Sequence, residues 1–295
     1  MKHTKKLLFV TTLLASNISF AGSAESIISQ DQGNGLVQAL TKDYNQSDSS
    51  CGGNGSPSFL CTGIMLHGSE PTKDHVWNPT KAEKKSDGVS FSYLRHDSKY
   101  SELAYRFDSG YIVYQIFGSP SDKIDLEYNC FFPVDGSTDG REFAGCGAHE
   151  NYPSESGSCE SQGIHTAYEW KKHYQSTSGS KSEHQCSFNV RDGASSTSYN
   201  FAQGLAAMKL ISDESMHIQN EVRASLWQDD IGDELPIQAF FYLEGSKSVG
   251  LKEAQDYQTD YYKTTGIAIP VIKLTLPNKS SEDAKFKFSR KEQAI

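Results

Sequence analysis

The chain has 295 residues with 28 basic and 37 acidic side chains, a formal net charge of −9 at pH 7 and a mean hydropathy of −0.56. An acidic surface repels polyanions, which excludes nucleic acid and stable membrane association as the expected partnerships. No mature segment approaches the ~18 consecutive apolar residues that a membrane-spanning helix needs.

The first 21 residues combine a basic start (Lys2, Lys5, Lys6), an apolar centre from Leu7 to Leu14 and a small-residue exit at Ser19-Phe20-Ala21. That order predicts a secretory signal peptide over residues 1–21 and a secreted, extracellular product. Cleavage would remove three lysines and no acid, leaving 25 basic against 37 acidic residues, a net charge of −12. Residues 22–277 are expected to form one domain, followed by a charged C-terminal tail at 278–295. The six cysteines (Cys51, Cys61, Cys130, Cys146, Cys159, Cys186) all follow the signal segment, so they are expected to be disulfide-bonded. Six cysteines allow fifteen pairings; the sequential one, 51–61, 130–146 and 159–186, closes short loops and is preferred.

Leu36, Val37 and Leu40 predict a short helix over 35–44. Gly63 to Gly68, Val89 to Leu94, Tyr111 to Ile116 and Ile124 to Val134 predict four strands. Asp135 to Glu160, rich in Gly and Ser, reads as a long disulfide-tied excursion. Apolar residues at 164, 167, 168, 170 and 174 predict an amphipathic helix, and Gln185 to Val190 a short strand. Phe201, Leu205 and Met208 mark a helix behind the Ser196-Thr197-Ser198 cluster, which is expected to cap it. Ile218, Val222 and Leu226 recur every four residues and predict a helix over 215–227. Leu235 to Leu243 is the clearest buried strand. A helix carrying Ala254, Tyr257 and Tyr261 ends at Gly266, and Ile267 to Leu276 predicts a last strand in which Pro270 implies an edge or a bulge. The tail reads as mobile, although Lys285 to Phe288 alternates like an edge strand. The mixture predicts an α+β fold.

The strings that stand out are Gln219-Asn220-Glu221-Val222-Arg223-Ala224, Leu235 to Tyr242 and Tyr261-Tyr262. In that order they resemble the carboxylate motif and following segments of cholera-type ADP-ribosyltransferases. A wider likeness, to the halovibrin family of secreted NAD-cleaving enzymes, is carried by Gly35 to Thr41, Phe59 to Gly63, Gly88 to Arg95, Cys146 to His149 and Pro236 to Leu243. The resemblance implies an ADP-ribosyltransferase-like mixed or two-sheet core. It also implies NAD glycohydrolase activity, with NAD as substrate rather than cofactor. ADP-ribosyl transfer to a host protein acceptor would be a second outcome.

The chemistry fits one carboxylate. Nicotinamide leaves NAD as a neutral ring, so no general acid is required, and Glu221 would stabilise the oxocarbenium-like ribose. Gln219 would orient water. The family pattern also has a His or Arg on an early strand gripping NAD, which His67 in Met65-Leu66-His67-Gly68-Ser69 resembles. A Ser-x-Ser brace is matched by Ser90 and Ser92, whose spacing puts both hydroxyls on one strand face. Arg95 offers a planar fork to the pyrophosphate. Ser196-Thr197-Ser198 matches the family's letters more literally but lies 21 residues before Gln219. Where arginine-specific transferases carry Glu, this chain has Gln219, which favours hydrolysis. His165, His173 and His184 show no zinc spacing, and no metal is expected. The alternative of another class is a secreted non-catalytic protein that binds sugars or a host surface through the Asp135 to Glu160 excursion.

Overall fold

The computed structural model describes residues 26–51, 56–71, 75–78, 80, 83, 89–114, 126–135, 158–176, 186–190, 196–214, 219–226, 237–245 and 248–295. The signal segment and most of the Asp135 to Glu160 excursion lie outside them.

Four helices and eleven strands carry the fold in the described residues. Helix α1 (Gln30–Asn45) starts five residues ahead of its apolar pattern because Ser29 and Gln32 form a reciprocal capping box, with bonds of 3.2 and 2.9 Å. A short ribbon, β1 (Ser50–Cys51) and β2 (Ser56–Pro57), follows. Then come β3 (Ile64–Gly68), β4 (Val89–Leu94), β5 (Ser109–Val113) and β6 (Leu126–Phe132). Helix α2 (Ala167–Ser176), β7 (Phe188–Asn189) and α3 (Thr197–Ser212) lead to β8 (Glu221–Leu226) and β9 (Ile237–Leu243). Helix α4 (Ser248–Thr265), β10 (Val271–Thr275) and β11 (Lys285–Phe288) complete the chain.

Nine strands form one mixed sheet in the order β11-β10-β9-β5-β3-β4-β8-β6-β7. Among the described strands only β9 and β10 run parallel, joined through α4 as a parallel pair requires. One face carries an aromatic core in which Phe201 of α3 meets Phe59, Phe131 and Tyr93 edge-on at 4.7, 5.0 and 5.2 Å. Tyr257 and Tyr261 of α4 cover Phe240 on the same face. The other face packs Ile64, Leu66 and Leu94 with α1, through Leu40 and Tyr44, and with Phe286 and Phe288.

Three expectations change. The segment at 215–227 is not helical where described: 221–226 is strand β8. A spacing of four is also twice two, so Val222 and Leu226 suit one face of a strand as well as one face of a helix. Pro270 does not mark an edge, since β10 lies between β9 and β11; the proline stands just before its first residue. The C-terminal tail is not loose. Its strand β11 closes the sheet, and the Gln293 carboxamide bonds Val271 N and O, both at 2.9 Å.

Cys51–Cys61 and Cys159–Cys186 are bridged, as the sequential pairing predicts for these two. Cys130 is also disulfide-bonded, and the expected partner, Cys146, lies outside the described residues. Among the described residues no helix is long and apolar enough to cross a membrane.

Candidate functional site

Strand β8 threads between β4 and β6, pairing Val222 with Phe91, Arg223 with Ser90 and Glu221 with Phe132. Alternation therefore puts Ser90, Ser92, Glu221 and Arg223 on one face of the sheet, and Phe91, Tyr93 and Val222 on the aromatic face. Glu221 is completely buried. Its Oε1 accepts a 2.5 Å bond from Ser90 Oγ, the short distance expected of a hydroxyl facing a carboxylate.

Two further polar residues adjoin this pair along the strands. Continuing the β4–β8 register places Ser92 opposite Glu221, and its buried hydroxyl has the buried Tyr100 hydroxyl as a partner. Gln219 is tied down by its main chain, donating from N to Glu102 O at 2.9 Å and accepting from Asp135 N at 2.8 Å. Its side-chain Oε1 is nevertheless buried and unbonded. Buried polar atoms are nearly always paired in folded proteins, so the unbonded Gln219 carboxamide oxygen, two residues before the carboxylate, is a functional signal.

His67 lies on the other face, stacked on Tyr111 at 5.0 Å and edge-on to Phe91. The β3–β4 ladder stops at Leu66 and Ser92, and His67 Nδ1 takes the next carbonyl, donating to Ser90 O at 2.8 Å. A carbonyl only accepts, so the proton sits on Nδ1. Nε2 faces Glu83 at 3.9 Å. Thus Ser90 links the two groups, hydroxyl to Glu221 and carbonyl to His67, while the sheet separates them. A grip by His67 on a molecule seated at Glu221 does not fit this placement.

Arg95 is not held ready for phosphate. Its guanidinium is buried and donates to both carboxylate oxygens of Asp97 at 2.6 and 2.8 Å. It also bonds Asp48 O and Thr62 Oγ1, each at 3.0 Å. It clamps the loop after β4 to the segment before β3, about 16 Å along the chain from Ser90 at strand rise. The Ser196 cluster opens α3, but Ser196 makes no side-chain capping bond; instead its Oγ accepts from Asn200 Nδ2 at 3.3 Å.

Two features escape sequence reasoning. Asn220 sits inside the motif string and looks like a spacer, yet its carboxamide is fully buried and bonded to both backbone groups of Tyr93. Tyr105 and Arg106 are the only non-glycine residues at positive φ among those described, at 55° and 57°. Left-handed backbone costs such residues about 1–3 kcal/mol each. Asn220's spacing offers no signal, and positive φ has none in sequence.

At the far end of β3 a small cavity of about 160 Å³ is lined by Asp43, Gly63, Ile64, Met65, Val113, Tyr114 and Gln238. Burial pushes the Asp43 carboxyl up from its ordinary value, outweighing the opposing charge of Lys42. None of the sequence-predicted site residues lines this cavity. Among the described residues no group of three His, Cys, Asp or Glu side chains is placed to hold a metal ion. No protein-family model matches the chain, and no curated protein matches it.

Proposed function

We propose that the chain is an exported enzyme that hydrolyses NAD to ADP-ribose and nicotinamide, built on an ADP-ribosyltransferase-like core. The observation that carries this reading is the Ser90–Glu221 bond at the entrance of β8, with Ser92 opposite Glu221 in the strand register and an unbonded carboxamide oxygen on Gln219 two residues before it. In the reaction the bond between nicotinamide nitrogen and ribose C1′ breaks, and nicotinamide departs neutral with the bonding electrons. Glu221 stabilises the positive charge left on the ribose. Water then bonds to C1′ and loses a proton to solvent. Ser90 orients the carboxylate, and Gln219 and Ser92 offer hydrogen bonds to water and ribose.

The experiment is to incubate protein beginning at Gly22 with NAD and quantify nicotinamide, beside Glu221→Gln. Release by the parent and a loss of about 100-fold or more in the variant, the scale of removing a charge-stabilising group, support the reading. No release, or full activity in the variant, overturns it. ADP-ribose bound covalently to an added protein acceptor would identify the transferase outcome.

Complete burial of Glu221 favours a second reading. Here Ser90 and Glu221 form a folding clamp in a secreted non-catalytic binding protein. That reading predicts no nicotinamide release and a lower melting temperature for Glu221→Gln.

A further inference from the structure

The cavity of about 160 Å³ at the start of β3 shares no lining residue with the Ser90–Glu221 pair. Asp43 enters it from the last turn of α1, Ile64 and Met65 from β3, Val113 and Tyr114 from the end of β5, and Gln238 from β9. The helix is tied to the sheet here by Gly63, whose N–H donates to Asp43 O at 2.7 Å. Gly63 has φ 70°, and a Cβ there would lie 2.4 Å from the Tyr93 ring, so glycine alone lets the chain enter β3 this closely. Gln238 arrives through a β-bulge: Ile112 pairs with Ala239 but Val113 with Ile237, which leaves Gln238 as the extra residue on β9. Bulges re-aim a side chain and are common beside functional sites.

Three polar side chains line this one space, and none bonds within the protein. The Asp43 carboxylate, the Tyr114 hydroxyl and the Gln238 carboxamide have no hydrogen bond or ion pair among the described residues. Asp43 also stands where a carboxylate is disfavoured. The carbonyl end of a helix carries partial negative charge, and partial burial holds the Asp43 carboxyl above its ordinary value against the opposing charge of exposed Lys42. A cation beside Asp43 relieves both effects. The other side-chain walls, Ile64, Met65 and Val113, are apolar and buried. A cavity of about 150 Å³ can hold benzene, so the space suits a molecule of about six non-hydrogen atoms.

We propose that this cavity binds a small primary alkylammonium ion, its charged head on Asp43 and its hydrocarbon stem along Ile64, Met65 and Val113. An ammonium has three N–H donors and no acceptor. The lining side chains offer three kinds of acceptor, the Asp43 carboxylate, the Gln238 carboxamide oxygen and the Tyr114 hydroxyl oxygen. An anion would be repelled by the carboxylate. A divalent metal ion takes six or more oxygen ligands, and Asp43 is the one acid in the lining. The net charge of −9 also draws cations toward the protein. This site stands whether or not the protein cleaves NAD.

Calorimetry with butylammonium in an amine-free buffer tests the site, with butyrate, butanol and calcium as comparison ligands. Saturable binding at one site is expected for butylammonium, about tenfold or more tighter than for butyrate or butanol, the scale of a hydrogen bond to a charged group. Asp43→Asn keeps the size, removes the charge and should weaken butylammonium by a similar factor. Without ligand this variant should melt no lower than the parent, because it takes a carboxylate away from a helix C-terminus. Butylammonium should raise the melting temperature of the parent alone. If Asp43→Asn melts below the parent, Gln238→Leu decides, since it keeps the carboxylate and removes one acceptor. A loss of affinity of about threefold or more then retains the site, and unchanged affinity removes it. No binding, equal affinity for butanol, or equal affinity in Asp43→Asn overturns the proposal. So does calcium that displaces butylammonium at a lower concentration, which would make the cavity a metal site.

Discussion

Asn220 serves Tyr93 as a neighbouring strand would: its Oδ1 accepts the Tyr93 N–H at 2.7 Å, and its Nδ2 donates to the Tyr93 carbonyl at 2.7 Å. Pairing between β4 and β8 runs Val89 to Ala224, Ser90 to Arg223 and Phe91 to Val222, so two steps further along this register the main chain of Asn220 would be the partner of Tyr93. A side chain replaces it, and the same amide donates to Ser98 Oγ at 2.9 Å. The β8 backbone is thereby set back from β4 where Glu221 begins the strand.

Asn220→Ala should therefore leave the N–H of Tyr93 buried and unpaired and its C=O with only the Ser98 hydroxyl at 3.4 Å, a cost of roughly 1–3 kcal/mol for the orphaned donor. Urea unfolding measures it. Asn220→Asp keeps the acceptor for Tyr93 N–H and loses the donors. If Asn220 also positions Glu221, the aspartate variant should lower kcat for nicotinamide release while KM stays near the parent value. A change confined to stability would leave Asn220 a purely structural residue.

Ser90→Ala tests the other support of the carboxylate. It removes the 2.5 Å donor to Glu221 without adding bulk, and a hydrogen bond to a charged group contributes about 1.5–3 kcal/mol. The expected outcome at neutral pH is a stability loss of that size, together with reduced nicotinamide release. Ser90→Thr, which restores a hydroxyl, should recover part of both. Equal stability of Ser90→Ala and the parent would mean that the bond contributes nothing.

Sequence patterns reached some of this architecture and stopped at identifiable physical limits. Ile64 to Gly68, Val89 to Leu94 and Ile237 to Leu243 are legible because buried central strands read as apolar runs. The motif carboxylate is legible as a string, but its hydroxyl partner lies 131 residues away, and only the β4–β8 register joins them. His67 and Ser90 both suit a site as residue types. Which sheet face each occupies follows from strand register, and that placed His67 across the sheet from Glu221. Arg95 shows the same limit: its planar fork is real, and Asp97, two residues further on, fills it.

The N-terminus of α2 should respond to acid. Glu169 Oε2 accepts from the backbone N–H groups of His165 and Thr166 at 2.9 and 3.0 Å. The His165 N–H is the main cause holding this carboxyl below its ordinary value of 4.5, with the Thr166 hydroxyl adding to it. A depressed carboxylate contributes stability above its unfolded value, and loses it as pH falls through the folded one. Glu169→Gln should therefore be less stable than the parent above pH 4.5, with the two converging as acid is added. Parallel stability curves across that range would show that the carboxylate charge plays no part in the cap.

The C-terminal strand makes the remaining prediction, because its docking depends on a glycine in the first helix. An added Cβ at Gly33 would lie 2.1 to 2.3 Å from ring carbons of Phe288, too close for any side chain to share the space. Forcing extra volume into a packed contact costs about 1–3 kcal/mol, so Gly33→Ala should lose that much despite the better helix propensity of alanine. In a Phe288→Ala background the methyl group meets no ring, and the same substitution should become neutral or mildly stabilising. The thermodynamic cycle formed by the two single variants and the double variant isolates this coupling. Additive effects would mean that β11 does not seat on α1 through this pair, even though Phe286 and Phe288 both turn into that face.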